Sequence, residues 1–152
     1  MLVFKTQKIL SREATMNHTY PTTPAIANQV ADGLKYNADG LIPAIAQQID
    51  TGEVLMMAWM NRDAVMETLT SAQVCYFSRS RSNLWRKGER SGQVQTLKDF
   101  RWDCDLDTVL VLVDQKGVAC HTGRHNCFYN SIRGGTMTEI ADIEIDPKDL
   151  YS

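Results

Sequence analysis

Residues 103–113 read Asp103-Cys104-Asp105-Leu106-Asp107-Thr108-Val109-Leu110-Val111-Leu112-Val113. Carboxylates alternate with a thiol and a leucine, and an unbroken aliphatic run follows. A short apolar run of this kind reads as a buried strand. The carboxylates ahead of it repel one another unless a cation lies among them. An extended chain sends alternate side chains to opposite faces. If 103–107 is extended, Asp103, Asp105 and Asp107 share one face and Cys104 takes the other. Carboxylate oxygens suit Mg²⁺ and a thiolate suits zinc, so one short segment offers ligands to two ions. An EF-hand loop also begins D-x-D-x-D. It requires glycine at its sixth position, where Thr108 stands, and the aliphatic run occupies the places of its later oxygen ligands.

Working outward, Leu41–Ile49 and Val54–Met60 read as two strands joined by Asp50-Thr51-Gly52-Glu53, a hairpin signal. Asn61 is a good N-cap for a short helix over 62–71, with Ala64, Val65, Thr68 and Leu69 inward. Val74–Phe77 is a further strand, and 94–102 is another with Val94, Thr96 and Phe100 patterned along it. Residues 139–145 are expected to add an edge strand, and Pro147 onward reads as a tail. Residues 1–32 read as an N-terminal extension carrying a short helix from about Ala25, followed by a core over 33–135 and a C-terminal tail over 136–152. At 152 residues one domain is the expectation.

Charged residues make up 22% and the net charge is −2, which argues against broad electrostatic binding to nucleic acid or to an anionic membrane. No apolar run reaches the roughly 20 residues of a membrane span. The N-terminus lacks a long apolar core and a small-residue cleavage site, so it makes a poor secretory signal. Four cysteines are too few for a disulfide scaffold. A cytoplasmic protein whose thiols bind metal or do chemistry is the expectation.

Cys104, Cys120 and Cys127 are separated by 15 and then 6 residues. Three thiolates leave a fourth zinc position open, the catalytic pattern, in which bound water reaches a pKa of about 7. Three unrelated buried thiols are the plainer alternative. Cys75, inside an apolar strand, reads as a buried small hydrophobe. His121 follows Cys120 directly and is the candidate general base, second-shell group or ligand. His125 carries a weaker case, and His18 in the extension is assigned no role.

Residues 78–92, SRSRSNLWRKGERSG, are polar and basic and read as a long functional loop. Arg79, Arg81, Arg86, Lys87 and Ser91 supply donors for phosphate oxygens, and Trp85 could stack on a base. A solvated loop is the plainer alternative.

Three segments, LWRKGERSGQVQ (84–95), DCDLD (103–107) and ACHTGRHNCFY (119–129), resemble the signature segments of the phosphoribosyl-AMP cyclohydrolase family. GLIPAIAQ, GEVLMMAWMN and YFSRSR are similar to it as well. The resemblance covers roughly residues 33–133. It implies a β-rich α+β fold with one or two short helices, in an intertwined homodimer. It also implies a hydrolase that opens the adenine ring of N1-(5-phosphoribosyl)-AMP between N1 and C6, a step of histidine biosynthesis. The cysteines matching Cys104, Cys120 and Cys127 would hold zinc at the dimer interface, the aspartates matching Asp103, Asp105 and Asp107 would hold Mg²⁺, and His121 would manage the proton. Gln93 departs from the Asn or His expected after Ser91-Gly92. Some relatives fuse a pyrophosphohydrolase domain behind the last motif, and this chain is expected to be monofunctional. Two rivals fit less well. A zinc nucleobase deaminase needs H-x-E and P-C-x-x-C, which are absent. A zinc-stabilised RNA-binding module predicts a closed four-ligand zinc and leaves the aspartates unexplained.

Overall fold

The computed structural model describes residues 19–152. Most of the 1–32 extension, His18 included, therefore lies outside the described residues. Helix α1 (Pro24–Gly33) opens the described chain. The Thr23 hydroxyl caps it, accepting from the Ile26 amide, and Pro24 stands in the first turn, where its missing N–H costs nothing. Ala27 and Ala31 are fully buried. The helix packs against α2 (Arg62–Ser71), and Arg62 fastens the two through Asp32 (2.8 Å) and Asn28 (2.7 Å).

Strand β1 (Ile42–Gln48) alternates buried and half-buried residues and pairs antiparallel with β2 (Val54–Met60). Gly52 turns this hairpin at φ 75°, a conformation glycine adopts without strain. Asn61 then caps α2 with its carboxamide oxygen on the Ala64 amide (2.8 Å). The four residues expected to face inward, Ala64, Val65, Thr68 and Leu69, are all buried. Strand β3 (Cys75–Ser78) returns beside β2.

The segment expected as one irregular loop, 78–92, instead holds strand β4 (Asn83–Arg86), which pairs with β3. Ser82 takes φ 49° at the turn. The apolar pair Leu84 and Trp85 packs against the core, and the Trp85 ring centroid lies 5.5 Å from that of Tyr76. Leu84 and Trp85, both half-buried, carry the only apolar signal of this edge strand, and the polar and basic residues around them hide it.

Strand β5 (Gln95–Trp102) is bulged between Leu97 and Asp99. The expected phase therefore fails at its start. Gln95 and Leu97 are buried there in place of Val94 and Thr96, and the bulge shifts the alternation so that Phe100 still faces the core. Strand β6 (Val109–Gln115), the aliphatic run, lies between β5 and β1 and pairs parallel with β1. A strand covered on both sides reads as continuously apolar. The main sheet thus runs β4-β3-β2-β1-β6-β5, and the fold is the expected compact, β-rich unit with few short helices.

A second sheet is the hairpin β7 (Asn130–Arg133) and β8 (Thr136–Glu139), turned by Gly134-Gly135. This corrects the expected strand over 139–145. Pairing is set by the double-glycine turn upstream, and 140–145 is fastened elsewhere. Pro147–Leu150, read only as a tail, forms a short helix, α3, with Leu150 at 5% exposure.

Candidate active site

The loop between β6 and β7 folds back on itself. Ala119 donates to the His125 carbonyl (3.0 Å), Cys120 to Arg124 (3.1 Å) and Cys127 to Leu55 on β2 (2.8 Å). The closing turn passes through Gly123 at φ 82°. Glu53, from the β1–β2 turn, holds the outgoing limb through His125 Nδ1 (2.7 Å) and Asn126 Nδ2 (2.6 Å). The incoming limb is held by Gln93, whose Oε1 accepts from the Val118 amide (2.9 Å). A Cβ at Gly117 would come within 1.7 Å of that oxygen, so the approach requires glycine.

These constraints bring Cys120 and Cys127 together. Burial, then the neighbouring Cys120, pushes the Cys127 thiol up to about 12. Both line a cavity of about 230 Å³ with His121, Trp85, Lys87 and Ser91. His121 is exposed and Lys87 buried. Burial lowers the Lys87 ammonium pKa, opposed by Cys127 and Cys120, and its Nζ lies 5.8 Å from the Trp85 ring centroid. A second cavity of about 150 Å³ is lined by Arg81, Arg90, Trp85, Lys87 and Ser91.

The remaining basic residues lie elsewhere. Arg79 stacks over Trp59 at 5.1 Å in an open groove, and Arg86 is tied to Glu67 on α2. Cys75 is buried, and desolvation raises its thiol to about 12, in keeping with a packing role.

Residues 103–107 are not extended. They form a turn with Leu106 at φ 69°, which removes the basis for assigning Cys104 and the aspartates to opposite faces. The physical reason is local capping. Asp103 Oδ1 accepts from the amides of Asp107 (3.0 Å) and Thr108 (3.1 Å), a turn-forming habit of aspartate. The turn still gathers the carboxylates, because ligand oxygens of Asp103, Asp105 and Asp107 lie within 4.8 Å of one another. Desolvation works against Asp103 ionising, but amides of Thr108 and Asp107 hold its pKa below the usual range. The Asp103 carboxylate raises that of Asp105. Cys104 is exposed on the same turn. Among the described residues, the sulfurs of Cys104, Cys120 and Cys127 do not lie together within 4.8 Å of one another.

Residues 56–129 match the family model described as phosphoribosyl-AMP cyclohydrolase. The span runs from β2 to the end of the thiol loop and takes in the basic hairpin and the aspartate turn. The phosphoribosyl-AMP cyclohydrolase of Magnetococcus marinus is 67% identical over 118 residues, 78% of this chain and 92% of that protein. The chain belongs to the phosphoribosyl-AMP cyclohydrolase family. The protein of that name from Paramagnetospirillum magneticum is 65% identical over 118 residues, 78% of this chain and 89% of the relative. That of Rhodospirillum centenum is 59% identical over 129 residues, 85% of this chain and 97% of the relative. The family resemblance carried by the three motifs is thus borne out. Sequence reasoning missed three residues that line or support this thiol cavity. Glu53 was read only as a turn residue, and Leu150 and Tyr151, which also line the thiol cavity, only as a tail. Nothing in local spacing ties either to the thiols.

Proposed function

We propose that this chain hydrolyses N1-(5-phosphoribosyl)-AMP at the N1–C6 bond, a reaction of histidine biosynthesis. One observation carries the reading: a cavity with two thiols and an exposed histidine adjoins a basic cavity, and Trp85, Lys87 and Ser91 line both. The substrate has the same two parts, a purine ring and phosphate-bearing arms.

The donor chemistry fits two metals. Burial and the neighbouring Cys120 disfavour ionisation of Cys127, and a soft cation bound to the pair would relieve that cost. We assign zinc to this pair together with Cys104 of a second copy, because the three sulfurs are not gathered within one chain. The three convergent carboxylates suit Mg²⁺. Bound there, zinc supplies Lewis-acid activation of water and Mg²⁺ offsets phosphate charge.

The side chains then divide the work. Trp85 presents a face for the purine. Lys87, Arg81, Arg90 and Ser91 hold phosphate oxygens, Lys87 from a buried position where its charge is weakly screened. His121 takes the proton from the water that adds to C6 and returns one to N1 as the ring opens. C6 keeps its exocyclic nitrogen and becomes a carboxamide, so no ammonia leaves.

The homodimer this requires has surface to use. Ile132 and Met137 on the β7–β8 hairpin are 79% and 91% exposed, and we assign that hairpin to contact with a second copy. No described helix is long and apolar enough to cross a membrane. The unpaired cysteines suit a reducing compartment, and we place the protein in the cytoplasm.

Purified protein with zinc and Mg²⁺ is expected to convert phosphoribosyl-AMP with an absorbance change and no ammonia. Release of ammonia would point to a deaminase, and tight RNA binding without turnover to a binding module.

A further inference from the structure

The residues after β8 are strapped to the thiol loop. The Gly123 carbonyl accepts from the amides of Glu144 (2.8 Å) and Ile145 (3.2 Å). A Cβ at Gly123 would lie 1.8 Å from the Ile145 carbonyl oxygen, so the strap sits directly on the loop backbone. Arg124, 9% exposed, donates to the Ala141 carbonyl (3.0 Å), pairs with Glu139 (2.8 Å) and stacks on Tyr129 (4.0 Å). Both anchors stand between Cys120 and Cys127 in the chain. Asp146 then caps α3 through the Lys148 amide (2.9 Å), and Leu150 is buried against the thiol cavity.

That sequence of contacts fixes where Tyr151 stands. It lines the thiol cavity and the basic cavity alike, and the residue is 59% exposed. An aromatic ring held at the junction of an apolar and a cationic pocket, with much of its surface uncovered, offers a contact area that a ligand spanning both would bury.

We propose that Tyr151 is a substrate-contacting residue, forming with Trp85 the wall that links the purine cavity to the phosphate cavity. This rests on the cyclohydrolase reading and adds a residue to it. The contact is made to the bound substrate as a whole, so it contributes to binding and leaves the chemical step alone. The ring face supplies most of it.

Steady-state turnover of phosphoribosyl-AMP by Tyr151→Ala and Tyr151→Phe in the full chain, with melting temperatures, tests the role. Tyr151→Ala is expected to raise KM about tenfold, the scale of one base–aromatic contact, and to change kcat by less than about threefold. Tyr151→Phe is expected to keep KM within about twofold of the parent, because the ring is retained. Neither change should move the melting temperature, since the side chain is largely exposed. An unchanged KM in Tyr151→Ala would overturn the proposal, as would a fall in kcat with KM intact. Turnover by the unmodified protein tests the cyclohydrolase reading separately, so an unchanged KM would overturn only the role of Tyr151.

Discussion

The turn at 103–107 gathers three carboxylates within 4.8 Å of one another from alternate positions of five residues. The thiol cavity gathers Cys120 and Cys127 through β2, β4, the 119–127 loop and the C-terminal strap, and leaves Cys104 on the aspartate turn. The first donor set is complete over a few peptide bonds and is fixed by amides donating to Asp103. The second depends on contacts far apart in sequence, and the third thiol we propose for it, Cys104, does not lie with the other two within one chain. A local cluster needs only a turn, whereas a catalytic pocket needs the fold, and in our account a second copy of it.

The largest effects should come from the thiols. Cys120→Ala is expected to lower turnover by at least about a thousandfold and to leave no retained zinc, measured by steady-state kinetics and metal analysis. Full zinc occupancy in that variant would break the ligand assignment. The carboxylate site should behave independently. Asp105→Asn is expected to reduce turnover on the order of a hundredfold while zinc content stays at the parent level. If zinc is lost with activity, the two donor sets are not the separate units contrasted above.

A smaller effect sharpens the non-local half. Glu53 bonds to neither thiol but holds His125 and Asn126, the residues before Cys127. Glu53→Ala is expected to weaken zinc affinity by about tenfold, the usual cost of losing a second-shell support, as read by competition with a chelator. Glu53→Gln, which keeps a partner for Asn126, should lose less. Equal affinity in all three proteins would mean the loop holds itself.

Thiol reactivity gives the smallest and simplest contrast. With zinc bound, alkylation at pH 8 should be slow at every cysteine. After chelation Cys104 should react, while Cys75 stays protected because burial raises its thiol to about 12. Labelling of Cys75 at the rate of Cys104 would show that its strand opens readily.

The same distinction explains what the sequence could reveal. The β1–β2 hairpin, Asn61 as the α2 cap and the aliphatic β6 were legible because turn chemistry and apolar runs are local signals. Strand β4 was hidden because only Leu84 and Trp85 carry its pattern among basic residues. The phase of β5 was hidden by a bulge and by Gln95, a buried polar side chain satisfied by Tyr76 (2.6 Å) and Gln115 (2.8 Å). The ligand candidates were legible from residue type. The turn at 103–107 was not, since Leu106 at positive φ has no sequence signature. Glu53 and Tyr151 reach the site only through tertiary contacts.

A thiol site shared between two copies predicts complementation between chains that carry different ligand substitutions. Cys104→Ala and Cys120→Ala chains, each inactive alone, are co-expressed and the mixture assayed with phosphoribosyl-AMP. In a two-fold dimer each mixed pair holds one site built wholly from unaltered ligands, so random pairing should restore about a quarter of parental activity. A mixture as inactive as either variant alone would contradict the shared site.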